Sequence, residues 1–220
     1  TWHAIGLATL TPLYIILGWL IKQKEQTDWH LELKSFGFIK NRFGQIEQLS
    51  EMILAVAWLL ALIAGGLSFG RVGVMAISHT LLAVSFLLIT ILWQKPHVLW
   101  AMSLLLLTAS GAWQGYRGVS PAQLALPWAL LAILHVAAAV RLPEKYTPYR
   151  LILTQAAVCL AAFALIPPLI LFDYTILTYA LFNWITLTSW LAYLYHTNRW
   201  PAPAKFTANT PALLLQWLAA

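Results

Sequence analysis

The sequence predicts an all-α fold, a polytopic membrane bundle of about seven transmembrane helices, and three observations carry that expectation. Apolar residues make up 61% of the 220 and charged residues only 9%, where a water-soluble domain is about a quarter charged. Mean hydropathy is +0.75. The apolar residues are gathered into runs of roughly 20, the length a helix needs to cross about 30 Å of hydrocarbon. Too little charge remains to cover a water-facing surface. A soluble fold, a disordered chain and a disulfide-stapled secreted module are all excluded.

Seven segments have the required length and apolarity: about 2–21, 52–70, 72–93, 97–115, 123–141, 151–172 and 174–196. The first ends in Ile21-Lys22 with no small-residue cleavage site, so it reads as a span rather than a signal peptide. Only Arg71 separates the second from the third, which demands a very tight hairpin.

Lys and Arg then orient the chain, because they concentrate on the cytoplasmic side of short loops. Lys22, Lys24, Lys34, Lys40 and Arg42 follow the first span, and Lys95 follows the third. Arg141, Lys145 and Arg150 follow the fifth, and Arg199 and Lys205 lie in the tail. With seven spans these places share one side and hold eleven of the thirteen positive charges; Arg71 and Arg117 lie on the other. The expected topology has the N-terminus outside and the C-terminus cytoplasmic, as a multi-pass protein of the inner (plasma) membrane. The net charge of +6 therefore meets anionic headgroups and forms no patch suited to nucleic acid.

Two further segments complete a single integral membrane domain over 1–220. In 28–50, Leu31, Leu33, Phe36, Phe38, Ile39, Phe43, Ile46 and Leu49 mix with Glu32, Lys34, Lys40, Arg42 and Glu47. That is the pattern of an amphipathic segment lying in the interface, broken at Gly37 and Gly44. The tail, 211–220, is apolar but too short to span, and reads as a short terminal helix on the membrane or on a partner.

Within the spans, Ala57, Ala61 and Gly65 repeat at four-residue spacing, which lets helix backbones approach closely. Pro12, Pro127 and the Pro167-Pro168 pair should kink their helices, and the double proline should unwind a turn. Twelve tryptophans are present. Trp2, Trp19, Trp29, Trp93, Trp100, Trp113 and Trp200 fit an interfacial belt, whereas Trp58, Trp184 and Trp190 lie deeper, as core or as the lining for a flat ligand.

An ionisable group in hydrocarbon is expensive and usually functional, so such groups mark candidate sites. All seven acids fall in loops or at span ends, which disfavours ion-coupled transport and paired-carboxylate hydrolysis. HExxH, GxSxG and Gly-rich phosphate loops are absent. Cys159 stands alone, so the chain can form no internal disulfide or redox pair.

Histidine remains. His79 and His135 lie inside the third and fifth spans, and neutral imidazoles on two helices are what a b-type haem takes as axial ligands. Equally, each can hydrogen-bond a neighbouring helix. His97, with Trp93 and Trp100 beside it, marks a second possibility, the edge of a quinone site. No two histidines share a helical face at metal spacing, so no metal site is expected. Gln155 and Asn183 are candidate interhelical hydrogen-bonders.

The function expected from these features is that of a membrane subunit of a multiprotein inner-membrane complex. It would anchor other protein subunits to the lipid bilayer, with haem b or quinone as the only cofactors the residues suggest for electron transfer. A transporter or enzyme for a hydrophobic, lipid-like molecule is the alternative that the deep tryptophans and the double proline suggest. A sensory or structural anchor is the third.

Overall fold

The computed structural model describes residues 2–26 and 49–196. Among them are seven α-helices and no strand: α1 (Trp2–Gln26), α2 (Leu49–Ser68), α3 (Val72–Leu92), α4 (Leu99–Tyr116), α5 (Ala125–Arg141), α6 (Thr147–Ile170) and α7 (Tyr174–His196). Single 3-10 turns at Pro96–Val98, Pro121–Leu124 and Glu144–Tyr146 lead into α4, α5 and α6. The expected helical membrane bundle is the observed class. The interfacial segment 28–50, apart from its last residues on α2, and the terminal helix 211–220 lie outside the described residues.

Six of the helices are long and apolar enough to cross a membrane. The seventh, α7, has the length, at 23 residues, but is not among the six. Thr175, Thr178, Tyr179, Asn183, Thr186, Thr188 and Ser189 dilute its apolar content.

The described structure groups into two compact units, Thr1–Val98 and Leu99–Ala220. In the first, α1 packs against both arms of the α2–α3 hairpin. Its buried residues are Ala4, Ala8, Thr11, Ile15 and Gly18, and those of α2 are Ser50, Leu54, Ala57, Ala61, Ala64 and Ser68. Both seams alternate steps of four and three, the spacing that keeps a stripe facing a partner in a left-handed crossing. Small side chains on the seams bring the backbones close, which matters because lipid provides no hydrophobic drive between helices. The observed seam on α2 thus runs through Ala64 and Ser68, and the four-residue repeat to Gly65 is not the buried stripe.

Gly18 marks the tightest approach. A Cβ there would lie 3.1 Å from Cζ2 of Trp93, 3.2 Å from Cγ2 of Ile53 and 3.3 Å from the Ser50 carbonyl. At the other end of the unit the α2–α3 connection is three residues, Phe69 to Arg71, rather than Arg71 alone. Gly70 turns it at φ +98°, in the left-handed region that favours glycine.

In the second unit α6 is the central helix, packing against α4, α5 and α7. It is buried on two faces, one through Arg150, Thr154, Ala157, Ala161, Ala164 and Pro168, the other through Leu153, Ala156 and Leu160. Alanines again dominate, as they must for one helix to contact three others closely. Trp184 of α7 fills the core among Leu107, Ala132, Val136, Ala157 and Leu160.

The double proline interrupts its helix less than expected. α6 continues through Pro167 and Pro168 to Ile170, so the double proline unwinds no turn. The pair falls in the last turn, where few further helical bonds depend on it. The chain then leaves through Leu171 N–H to Pro167 O and Asp173 N–H to Pro168 O. Pro127 sits in the first turn of α5, where its missing N–H costs nothing.

Replacing Gly18 with Val should destabilise the first unit by about 1–3 kcal/mol through overpacking, whereas Gly6→Val, at a glycine with open space around it, should have little effect. Thermal unfolding in detergent micelles checks the contrast.

Candidate functional site

Each of the two histidines inside the spans faces a serine on a neighbouring helix, one pair in each unit. His79, on the second turn of α3, is buried, and its Nε2 lies 3.0 Å from Oγ of Ser68 at the end of α2. The same hydroxyl lies 2.6 Å from Gly65 O. The tautomer of His79 sets which of Nε2 and the serine hydroxyl donates in the pair. Phe69 meets the imidazole edge-on, with centroids 5.8 Å apart.

His135, on α5, is buried and placed differently. Its Nδ1–H donates to Leu131 O one turn back on α5, at 2.8 Å, and Nε2 faces Oγ of Ser103 on α4 at 2.9 Å. The same hydroxyl lies 2.8 Å from Leu99 O. In the neutral ring Ser103 donates to Nε2. If the ring is protonated, Nε2–H donates to Ser103 and the hydroxyl proton turns to Leu99 O. The pair can hold either charge state without orphaning an atom of the ring.

These contacts bear on haem. An axial ligand offers iron a nitrogen lone pair, and ligation through Nε2 at either position would first have to break the bond to serine. The serines were missed by sequence reasoning, because a partner on another helix leaves no periodic mark near the histidine.

The suggested quinone edge divides in the same way. Trp93 is buried at the end of α3, while His97 is exposed on the 3-10 turn that follows. Trp93 carries Lys22 Nζ above its ring, 4.7 Å from the centroid, a cation–π contact not visible in the sequence. Its indole N–H has no hydrogen-bond partner among the described residues. Trp100 begins the second unit and is exposed.

The deep tryptophans take separate roles. Trp58 packs on Phe86 at 4.7 Å between centroids, Trp184 is core, and Trp190 is exposed. Asn183 Nδ2 is buried without a partner among the described residues, so its amide nitrogen makes no interhelical bond there. No group of three or more His, Cys, Asp or Glu able to hold a metal occurs among the described residues.

The remaining anomaly is the outer face of α7. Thr175, Tyr179, Phe182, Thr186 and Ser189 are all exposed and follow steps of four, three, four and three. Phe182 is 71% exposed and Tyr179 64%. Thr186 satisfies its own hydroxyl on Phe182 O at 2.8 Å. The result is a straight seam of hydroxyl and aromatic groups, with the spacing of a helix that has a partner.

Ser103→Ala removes the partner of His135 and should cost about 1–3 kcal/mol, because a buried ring nitrogen is left unmet. Ser103→Thr, which keeps the hydroxyl, should retain most of the stability. Equilibrium unfolding of the purified chain checks both.

Comparison with protein-family models, with curated proteins and with solved structures gives no match in any of the three.

Proposed function

We propose that the chain is a membrane-embedded subunit of a multiprotein complex, and that α7 is the helix through which it meets its partner subunits. The observation behind this reading is the seam Thr175, Tyr179, Phe182, Thr186 and Ser189. Lipid tails offer hydroxyl and phenol groups nothing in return, whereas a neighbouring helix can accept and donate hydrogen bonds along such a seam. A helix too polar to stand alone in hydrocarbon is at home in an assembly. Counting α7 as the seventh span keeps eleven positive charges on one side, with the N-terminus outside and the C-terminus cytoplasmic, in an inner (plasma) membrane.

In this reading His79 and His135 fasten helix pairs through Ser68 and Ser103, and the subunit acts by position. An electron-transfer role, with haem on these histidines or quinone beside His97, is the more specific version. A reduced-minus-oxidised spectrum of gently solubilised native membranes enriched in the protein separates them. Helix fastening predicts no haem band that depends on His79 or His135; a band lost in His79→Ala but kept in wild type would restore haem.

The partner reading is tested on α7. A photo-crosslinking residue at 182 or 186 should capture another polypeptide in native membranes, while one at the buried position 187 should not. The double change Thr186→Leu with Ser189→Leu makes the face more lipid-like. It should leave the isolated subunit folded and reduce copurification of the partner severalfold; unchanged copurification with crosslinks only to lipid would sink the proposal.

A further inference from the structure

α7 carries no Asp, Glu, Lys or Arg along its length. Its exposed seam consists of Thr175, Tyr179, Phe182, Thr186 and Ser189. Steps of four, three, four and three place Tyr179 and Thr186 in one set of coiled-coil layers, and Thr175, Phe182 and Ser189 in the other. The outward faces of other helices differ. α2 presents Leu59, Leu62 and Ile63, and α5 presents Leu130, Ile133 and Leu134, exposed aliphatic groups matched to lipid tails.

The membrane limits how two copies of one chain can meet. The same Lys and Arg residues orient every copy, so all insert the same way round. A pair is then related by a twofold axis along the membrane normal. Across such an axis α7 lies parallel to its own counterpart. In a parallel pair each layer faces the same layer, so every residue on the seam meets itself.

Few side chains tolerate that arrangement. A charged one would face its own charge in hydrocarbon, where ionised groups are expensive. The α7 seam holds only groups that pair with their own kind. A hydroxyl both donates and accepts, so Thr175, Thr186, Ser189 and the Tyr179 phenol can each bond their counterparts. Thr186 directs its proton to Phe182 O at 2.8 Å in the single chain, and one hydroxyl of a facing pair can turn its proton across the axis. Phe182, 71% exposed, gains an offset or edge-on contact with a second ring. A different polypeptide would impose no such rule on all five layers.

We propose that this seam is a twofold interface through which two copies of the chain pair in the membrane. The proposal rests on the reading of α7 as the partner-facing helix, and names the partner on that face as a second copy.

Two full-length copies with different affinity tags are co-expressed, and each tag is used to recover the other from solubilised membranes. Wild-type copies should recover each other, and Thr186→Leu with Ser189→Leu should lower that recovery severalfold. The geometry is read by disulfide trapping in intact membranes. Cys159, exposed on α6, is first changed to Ala so that one introduced thiol stands alone. Phe182→Cys, Thr186→Cys and Ser189→Cys should each give an oxidised product of twice 24.6 kDa carrying both tags. Counterparts across the axis come within the roughly 7 Å between Cα atoms that a disulfide spans. Leu181→Cys, at an exposed position turned about 120° from the centre of the seam, should give little.

Wild-type copies that never recover each other overturn the proposal, and this measurement decides if the cysteine variants fail to fold. Equal disulfide yield at 181 and 182 also overturns it. A photo-crosslinking residue at 182 separates this failure from failure of the reading beneath it. A product carrying both tags supports the pairing. A product with a different polypeptide overturns the pairing and leaves α7 as a partner helix, whereas crosslinks to lipid alone overturn both.

Discussion

A polar group in hydrocarbon must find its partner inside the protein, and most of this structure follows from how that is done. The first solution is local. Thr9, Thr11, Thr80, Ser85, Thr90, Thr154, Thr178 and Thr186 each turn their hydroxyl back to the carbonyl four residues earlier. A hydroxyl satisfied within its own helix can sit on a packed seam or on an outer face. Histidine has more polar capacity than its own helix meets. His79 and His135 reach to serines on adjacent helices, and these bonds fix the register of α3 against α2 and of α5 against α4.

Close packing supplies the rest of the cohesion. With no hydrophobic drive between helices in lipid, contact area and short backbone separation take its place. The α1 and α2 seams of alanine, serine, threonine and glycine, and the alanine faces of α6, serve that end. Trp93 shows how little slack remains, since its ring edge rests on Gly18 beside the Ser50 carbonyl. The same crowding leaves its indole N–H without a partner among the described residues.

α7, in the second unit, departs from this self-sufficiency. It exposes a seam of hydroxyl and aromatic side chains. A polar helix face suits another helix. The histidines, by contrast, are already satisfied. Sequence reasoning ranks an ionisable residue in a span by its cost, and cost is indifferent to whether the neighbour is a cofactor or a serine.

Among the described residues, the sequence by itself determined the class of fold and the seven helical segments, with limits to within about five residues. Hydrocarbon thickness sets helix length and excludes charge, and both constraints are written locally along the chain. It also marked His79 and His135 as the polar residues deep in the membrane. Only the tertiary structure decided what those residues touch, that the buried stripe of α2 passes through Ala64 and Ser68, and that α6 runs through two prolines. It alone brought Lys22 over Trp93. Those facts depend on which helix faces which, and the spacing of residues along one helix carries no record of its neighbour.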